Sequence, residues 1–210
     1  MIYYIDFDCT LYDTEKLIDE MINDLSMILS NNDNYDEIFN NITHEFKVKR
    51  VPDVFKFCEY CAEKYNKDAN ILKDKIKTIL RNGSKFIYSD TIEFLNFLKH
   101  KKIKLLTYCT RESTEYQQKK IMGSGLANYF DEIIITNSSK GVLNIDYSNG
   151  FFIDDSPKAI TEIYKSKPLK LIRLNRPNST YSKIKLPEDI NIPEVKTLSE
   201  IITNQDYNEF

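Results

Sequence analysis

The order of apolar and polar residues divides the chain into two regions of different character. Residues 2–5 (Ile-Tyr-Tyr-Ile) form a short apolar run, aromatic and β-branched, which predicts a buried strand. After residue 84, apolar runs alternate with segments of helical periodicity. Strands that alternate with helices indicate a parallel sheet with right-handed crossovers. These later strands are predicted at 103–109, 132–136, 151–153 and 169–174.

Between the first strand and this alternating region, apolar residues recur at helical spacing. Leu17, Met21 and Leu25 share one face of the first of about four predicted helices. The fourth helix ends at Asn82-Gly83, a common stop signal. The predicted fold class is therefore α/β: a Rossmann-like three-layer core with a parallel sheet, plus a small all-helical cap domain. The core is expected to comprise residues 1–13 and 88–210, and the cap residues 14–87.

Composition excludes several classes of protein and function. The 210 residues carry a formal net charge of −3, with 41% hydrophobic and 29% charged residues, which is typical of a soluble globular protein. We expect no nucleic-acid partner, since such surfaces are usually basic. The sequence has no run of eighteen apolar residues and no secretory signal, so we expect a cytoplasmic protein without a membrane partner. The pattern does not indicate an oligomeric state.

The four cysteines are interpreted as free thiols of a reducing compartment. Cys58 and Cys61 form a CxxC on a predicted helix, with no finger-like set of further ligands. A redox or metal role for this pair is the alternative interpretation.

Chemically active side chains follow four of the predicted strands. Ligands of open parallel sheets bind at the carboxyl ends of the strands, so we expect these side chains to converge. Acids crowded together repel one another unless a cation lies among them, and carboxylate oxygens favour a hard divalent ion, which predicts Mg²⁺ as cofactor. An ammonium and a hydroxyl beside such an ion indicate a phosphorylated substrate. The residues are Asp6 and Asp8, Thr110, Lys140, and Asp154 and Asp155.

This combination is suited to phosphoryl transfer. A carboxylate can accept a phosphoryl group and form an aspartyl-phosphate. A second carboxylate can protonate the leaving group and then deprotonate water. The metal and Lys140 would neutralise the phosphoryl oxygens during the attack.

The segment Asp6-Phe7-Asp8-Cys9-Thr10-Leu11 resembles the first motif, DxDx[TV], of the haloacid dehalogenase (HAD) superfamily of phosphohydrolases. Thr110, Lys140 and the pair Asp154-Asp155 are similar to its second, third and fourth motifs, in the same order. The helical insertion directly after the first motif is similar to the cap of one class of this superfamily.

The resemblance implies a role for each of these residues. Asp6 would be the nucleophile and a metal ligand, and Asp8 the general acid and base, which also offers its backbone carbonyl to the metal. Thr110 would hydrogen-bond the phosphoryl group, and Lys140 would hold Asp6 and the phosphate. Asp154 and Asp155 would be metal ligands. Thr10 would fix the geometry of the motif loop and contact the substrate. Independently of the resemblance, Arg111 is interpreted either as a contact to the substrate phosphate or as a side chain that covers apolar surface.

Some positions depart from the family pattern or leave alternatives open. Cys9 stands where the family usually has Gly. Thr107 is the alternative to Thr110, because strand ends inferred from sequence err by several residues. Lys119 or Lys120 could supply the ammonium, although both fall inside a predicted helix. Arg173 and Arg176 are expected at the surface, with substrate contact as the alternative.

The sequence thus predicts a Mg²⁺-dependent phosphatase that acts on a phosphomonoester, such as a small metabolite or a nucleotide. A phosphomutase or other phosphotransferase on the same core and a non-catalytic phospho-ligand-binding protein are the alternatives. A dehalogenase would need neither the metal nor Asp8 as an acid. A signalling receiver is disfavoured, because its paired acids follow the first strand rather than the fourth.

Overall fold

The computed structural model describes residues 1–30, 34–49, 51, 53–144, 150–167, 169–177 and 179–204. The chain forms two compact units. The α/β unit comprises Met1–Asp13, Ile87–Cys109 and Leu126–Phe210, and the helical unit comprises Thr14–Phe86 and Thr110–Gly125. The sequence-based domain division, which counts residues 110–125 in the core, remains a prediction.

The α/β unit is built on a six-stranded sheet in which every paired strand runs parallel to its neighbour. The strand order is β3-β2-β1-β4-β5-β6, so β1 lies between β2 and β4. The predicted α/β class with a parallel sheet is confirmed. The strands are β1 Ile2–Ile5, β2 Lys102–Tyr108, β3 Glu132–Thr136, β4 Gly150–Asp154, β5 Lys170–Leu174 and β6 Glu194–Val195.

Eight α-helices occur in the described part of the chain. The second of them continues directly into a π-helical turn, His44–Lys49, which helical periodicity alone does not predict. The helices are α1 Thr14–Leu29, α2 Tyr35–Thr43, α3 Val54–Lys64, α4 Ala69–Arg81, α5 Thr91–Phe97, α6 Thr114–Ser124, α7 Pro157–Ser166 and α8 Leu198–Thr203.

One face of the sheet packs against α7. This helix starts at Pro157, whose fixed φ suits the first helical position, and the Ser156 side chain caps it by accepting a hydrogen bond from the Ala159 amide. Side chains at alternate strand positions share a face, so the strands present a continuous apolar surface to the helix. This buried cluster consists of Tyr4, Leu106, Phe152, Leu171, Ile160 and Ile163.

The helical unit buries the apolar faces that the periodicity predicts. Leu17, Met21 and Leu25 of α1 are fully buried. Helices α4 and α6 approach closely at Gly123, where a Cβ atom would lie 1.8 Å from the Leu80 carbonyl oxygen, so only glycine fits there. Among the described residues, none of the helices combines the length and the apolar character that crossing a membrane requires.

Candidate active site

The site lies at the carboxyl edge of the sheet, between the neighbouring strands β1 and β4. Ile5 pairs with Ile153, and the Asp6 amide donates to the Ile153 carbonyl at 2.9 Å. Asp6 follows Tyr4 by two residues, and Asp154 follows Phe152 by two. Because side chains alternate along a strand, both carboxylates lie on the same face of the sheet.

Lys140 joins these two carboxylates. It lies in the short 3₁₀ turn Lys140–Val142 after β3. Its Nζ atom is 2.5 Å from Asp6 Oδ1 and 2.6 Å from Asp154 Oδ2, and all three side chains are buried. The predicted ammonium is therefore in contact with the predicted nucleophile. Lys119 and Lys120, the alternatives, belong to α6 of the helical unit.

Asp155 completes a buried acidic cluster. One carboxylate oxygen each of Asp6, Asp154 and Asp155 lies within 4.8 Å of the other two. Asp154 Oδ1 accepts a hydrogen bond from the Ser156 amide. In the described structure, Asp155 Oδ2 is buried without a hydrogen-bond partner. An orphaned buried carboxylate oxygen is costly unless something binds it, so this donor set suits a hard cation.

The balance of charge supports the same conclusion. Burial raises the pKa of Asp6 to about 7, Lys140 opposes this increase, and Asp154 and Asp8 add to it. Burial also raises the pKa of Asp155 well above its ordinary value, and the charges of Asp154 and Asp6 raise it further. Burial alone would lower the pKa of Lys140, but Asp154 and Asp6 outweigh it, and that pKa is raised. Three carboxylates face one ammonium, and a divalent cation would balance them.

The predicted motif loop is a tight turn directly after Asp6. The Phe7 carbonyl accepts hydrogen bonds from the Leu11 and Tyr12 amides at 3.0 and 3.1 Å. Cys9 has a φ of +55°, the left-handed region that favours glycine, and the motif that this segment resembles usually has Gly at this position. Asp8 is half-buried, and its carboxylate is not part of the cluster formed by Asp6, Asp154 and Asp155.

Thr10 is fully buried within this loop, and its Oγ1 atom has no hydrogen-bond partner among the described residues. Its backbone carbonyl, by contrast, accepts two hydrogen bonds from Arg176. The structure thus supports a part for Thr10 in the geometry of the loop, while its contact with substrate remains a prediction.

The two candidate threonines of the second motif fall in different units. Thr107 is fully buried in β2, two positions beyond Leu105, which pairs with Ile5. This register brings Thr107 to the sheet edge that carries Asp6. Thr110 begins the stretch that belongs to the helical unit, is half-buried, and has its hydroxyl 2.9 Å from Ser113 Oγ. Arg111 is exposed in the same unit, so its predicted role stays a prediction.

Arg173 and Arg176, which the sequence predicts at the surface, are buried. Arg173 is 1% exposed and donates to Glu194 and to the Tyr181 carbonyl. Arg176 is 6% exposed and bonds to Asp90 and Thr10. The expectation was wrong because burial of a guanidinium depends on partners distant in sequence, which spacing along the chain does not reveal.

The CxxC cysteines are free, buried thiols on α3 of the helical unit. Burial raises the pKa of both Cys58 and Cys61 to about 12. Reactive cysteines usually have a lowered pKa, so the structure gives no support to a redox role.

The fold has many relatives among solved structures, and 122 of their chains match it. The HAD phosphatase from Thermococcus onnurineus is 19% identical, with a TM-score of 0.64 and 95% of each chain covered. The magnesium-bound HAD-hydrolase YfnB from Bacillus subtilis is 17% identical, with a TM-score of 0.60 and coverage of 99% of this chain and 98% of YfnB.

L-2-haloacid dehalogenase from Xanthobacter autotrophicus, with chloropropionic acid covalently bound, is 13% identical, with a TM-score of 0.58 and coverage of 95% and 96%. No protein-family model matches the sequence, and no curated protein matches it significantly. At these identities the similarity establishes the fold alone. The chain therefore has the HAD-like fold that its motifs predict, a fold that phosphatases and dehalogenases share.

Proposed function

We propose that this protein is a hydrolase of phosphomonoesters, a Mg²⁺-dependent phosphatase that works through an aspartyl-phosphate on Asp6. The observation that carries the proposal is the buried cluster in which Lys140 contacts Asp6 and Asp154 beside Asp155. The proposed substrate is a small phosphorylated metabolite or a nucleotide. A cytoplasmic location and the absence of a nucleic-acid partner are part of the same proposal.

The carboxylates of Asp6, Asp154 and Asp155 would hold the metal, together with the backbone carbonyl of Asp8. When bound, Mg²⁺ would neutralise negative charge on the phosphoryl oxygens and allow a carboxylate to approach phosphorus. The all-oxygen donor set and the unpartnered Asp155 Oδ2 support this choice of ion.

The residues of the chain would perform two displacements. Asp6 attacks phosphorus with a carboxylate oxygen, an oxygen–phosphorus bond forms, and the bond to the leaving oxygen breaks. Asp8 gives its proton to that leaving oxygen. A water molecule then attacks phosphorus and loses its proton to Asp8, which releases inorganic phosphate and restores Asp6. Lys140 holds Asp6 in place and neutralises charge throughout.

For the hydroxyl that binds the phosphoryl group, the register favours Thr107 over Thr110, the residue preferred from sequence. Thr107 is buried at the same edge of the same unit as Asp6. Valine replaces the hydroxyl by a methyl of similar size, so Thr107→Val and Thr110→Val form a matched pair. We expect the larger loss of turnover for Thr107→Val, and the opposite ranking would restore Thr110.

The proposal is tested by phosphate release from an aryl phosphate, with Mg²⁺ and with EDTA. We expect metal-dependent turnover that Asp6→Asn abolishes. Asp74→Asn is the matched control, because this aspartate is exposed and lies in the helical unit. Halide release from a 2-haloacid, measured in parallel, distinguishes a dehalogenase. Halide release without phosphate release, or phosphate release that survives Asp6→Asn, would overturn the proposal.

A phosphomutase is distinguished by the fate of the phosphoenzyme. If the label of a ³²P-substrate appears in a second organic phosphate rather than in inorganic phosphate, the activity is phosphotransfer on the same core. Binding of a phosphorylated ligand without turnover of a metabolite panel would instead indicate a non-catalytic protein.

A further inference from the structure

Arg176 is a buried arginine with unusually complete hydrogen bonding. Its Nε and Nη2 atoms donate to the Thr10 carbonyl at 3.0 and 2.8 Å. Nη1 and Nη2 donate to the two carboxylate oxygens of Asp90 at 3.1 and 2.8 Å. Its guanidinium carbon lies 3.8 Å from the ring centroid of Tyr88. The planar fork thus binds a carboxylate and a carbonyl at the same time, an arrangement that a lysine cannot reproduce.

Asp90 is the buried carboxylate partner of Arg176. It stands at the N-cap position of α5, yet its side chain makes no cap hydrogen bond to that helix. Both oxygens point to Arg176 instead, and Oδ2 also accepts from the Leu198 amide at 2.8 Å. Segments that are far apart in sequence, around residues 10, 90, 176 and 198, therefore meet at one buried ion pair.

The carbonyl that Arg176 holds belongs to the loop that carries Asp6 and Asp8. The next carbonyl of that loop, Leu11 O, is also held, by the Thr91 hydroxyl at 2.9 Å and the Tyr88 amide at 3.2 Å. Within the turn, the Phe7 carbonyl accepts the hydrogen bonds from the Leu11 and Tyr12 amides. The loop is thus fixed from within by its own backbone and from outside by the Tyr88–Thr91 segment and Arg176.

We propose that Arg176 and Asp90 are a positioning pair that sets the conformation of the Asp6–Tyr12 loop for catalysis. Their proposed catalytic role rests on the function proposed above. The pair acts through the Thr10 carbonyl and touches no reacting atom. A displacement of about 1 Å in a catalytic group can reduce the rate by about 10²-fold. Loss of the fork therefore lowers kcat and leaves KM nearly unchanged, since the groups that bind substrate remain.

The test compares Arg176→Lys with Arg173→Lys. Both keep a positive charge at a buried arginine of the same unit, but Arg173 bonds to Glu194 and the Tyr181 carbonyl. The first readout is amide hydrogen exchange of residues 7–12. We expect exchange faster by about tenfold or more in Arg176→Lys, because loss of a charged hydrogen bond changes the opening equilibrium by at least roughly that factor, and no change in Arg173→Lys.

The second readout is kinetic. If the wild-type protein releases phosphate, we expect Arg176→Lys to lower kcat about 10²-fold at constant KM, whereas Arg173→Lys should leave kcat unchanged. Asp90→Asn retains volume and one acceptor and serves if Arg176→Lys does not fold; its effects should have the same direction. The proposal would be overturned if the two lysine variants had equal loop exchange and equal kcat. It would also be overturned if loop exchange were unchanged in Arg176→Lys or in Asp90→Asn.

The two proposals can fail separately. If wild type releases no phosphate from any substrate, the proposed function fails. Hydrogen exchange then still decides whether Arg176 and Asp90 fix the loop. If wild type is active and kcat is unchanged in Arg176→Lys, the function stands and the positioning role is refuted.

Discussion

Replacement of Lys140 by methionine removes the only cation that contacts the buried pair Asp6 and Asp154 in the described structure. Methionine fills a similar volume, so the main effect is electrostatic. Two charged hydrogen bonds, at 2.5 and 2.6 Å, are lost. Each contributes about 1.5–3 kcal/mol, and breaking a buried ion pair by removal of one partner costs about 3–5 kcal/mol. The free energy of unfolding should therefore fall by about 3–5 kcal/mol.

Thermal unfolding of the metal-free protein, followed by circular dichroism in EDTA at neutral pH, measures this change. For a chain of this length, 1 kcal/mol corresponds to about 2–4 °C in Tm, so the expected decrease is roughly 6–20 °C. Lys158→Met is the matched control. Lys158 is exposed on α7, 3.9 Å from Glu162, and a pair of this kind contributes about 0–1 kcal/mol.

A double-mutant cycle of Lys140→Met with Asp154→Asn tests whether the loss of stability comes from the interaction between these two side chains. If the ammonium and the carboxylate interact as the distance indicates, the two losses are non-additive by about 0.5–3 kcal/mol. A decrease in Tm no larger than that of Lys158→Met, or strict additivity in the cycle, would refute the electrostatic account of the cluster.

Three further predictions concern the metal ligands, the contact between helices α4 and α6, and the two cysteines of α3. Mg²⁺ at 100 times its Kd should raise the free energy of unfolding of the wild-type protein by about 2.7 kcal/mol and leave that of Asp155→Asn unchanged in the same melts. Equal stabilisation of the two proteins would contradict the proposal that Asp155 is a metal ligand. Gly123→Ala should lower the free energy of unfolding by about 1–3 kcal/mol or more in urea titrations, because the new Cβ would lie 1.8 Å from Leu80 O; an unchanged midpoint would contradict this packing. Cys58 and Cys61, with pKa values near 12, should react slowly with a disulfide reagent at slightly alkaline pH until urea exposes them. Because the folded pKa is the higher one, their contribution to stability is complete below about pH 8.5 and is lost as the pH rises toward 12; rapid labelling of the native protein would refute this.

The sheet and the acidic cluster were predictable because both depend on local patterns. Strand β1 is an apolar run with a polar end, and parallel strands bring their carboxyl ends to one edge. Lys140 could be identified because it follows a strand in the same way. The end of β2 was less certain, since the predicted strand extended to Cys109 and the observed strand ends at Tyr108.

The buried arginines could not be inferred in this way. An arginine in a loop usually lies at the surface, and only the assembled fold shows that Asp90 and the Thr10 carbonyl surround Arg176. The π-helical turn His44–Lys49 has no periodicity that distinguishes it from a continued α-helix. For Arg176 the deciding contacts arise from tertiary structure rather than from the local sequence.

The contacts of the loop also explain how the chain of the α/β unit accommodates a long insertion. The chain leaves this unit after Asp13 and returns at Ile87, and the two ends are closed together by the bridge between Tyr12 and Ile87. The returning segment then holds the Leu11 carbonyl, and Asp90 holds Arg176. Extra residues in an insertion add little closure entropy when its ends are already fixed. The hydrogen bonds that close the ends of the insertion therefore also fix the Asp6–Tyr12 loop, and we expect a change of length within residues 14–86 to have little effect on the position of Asp6.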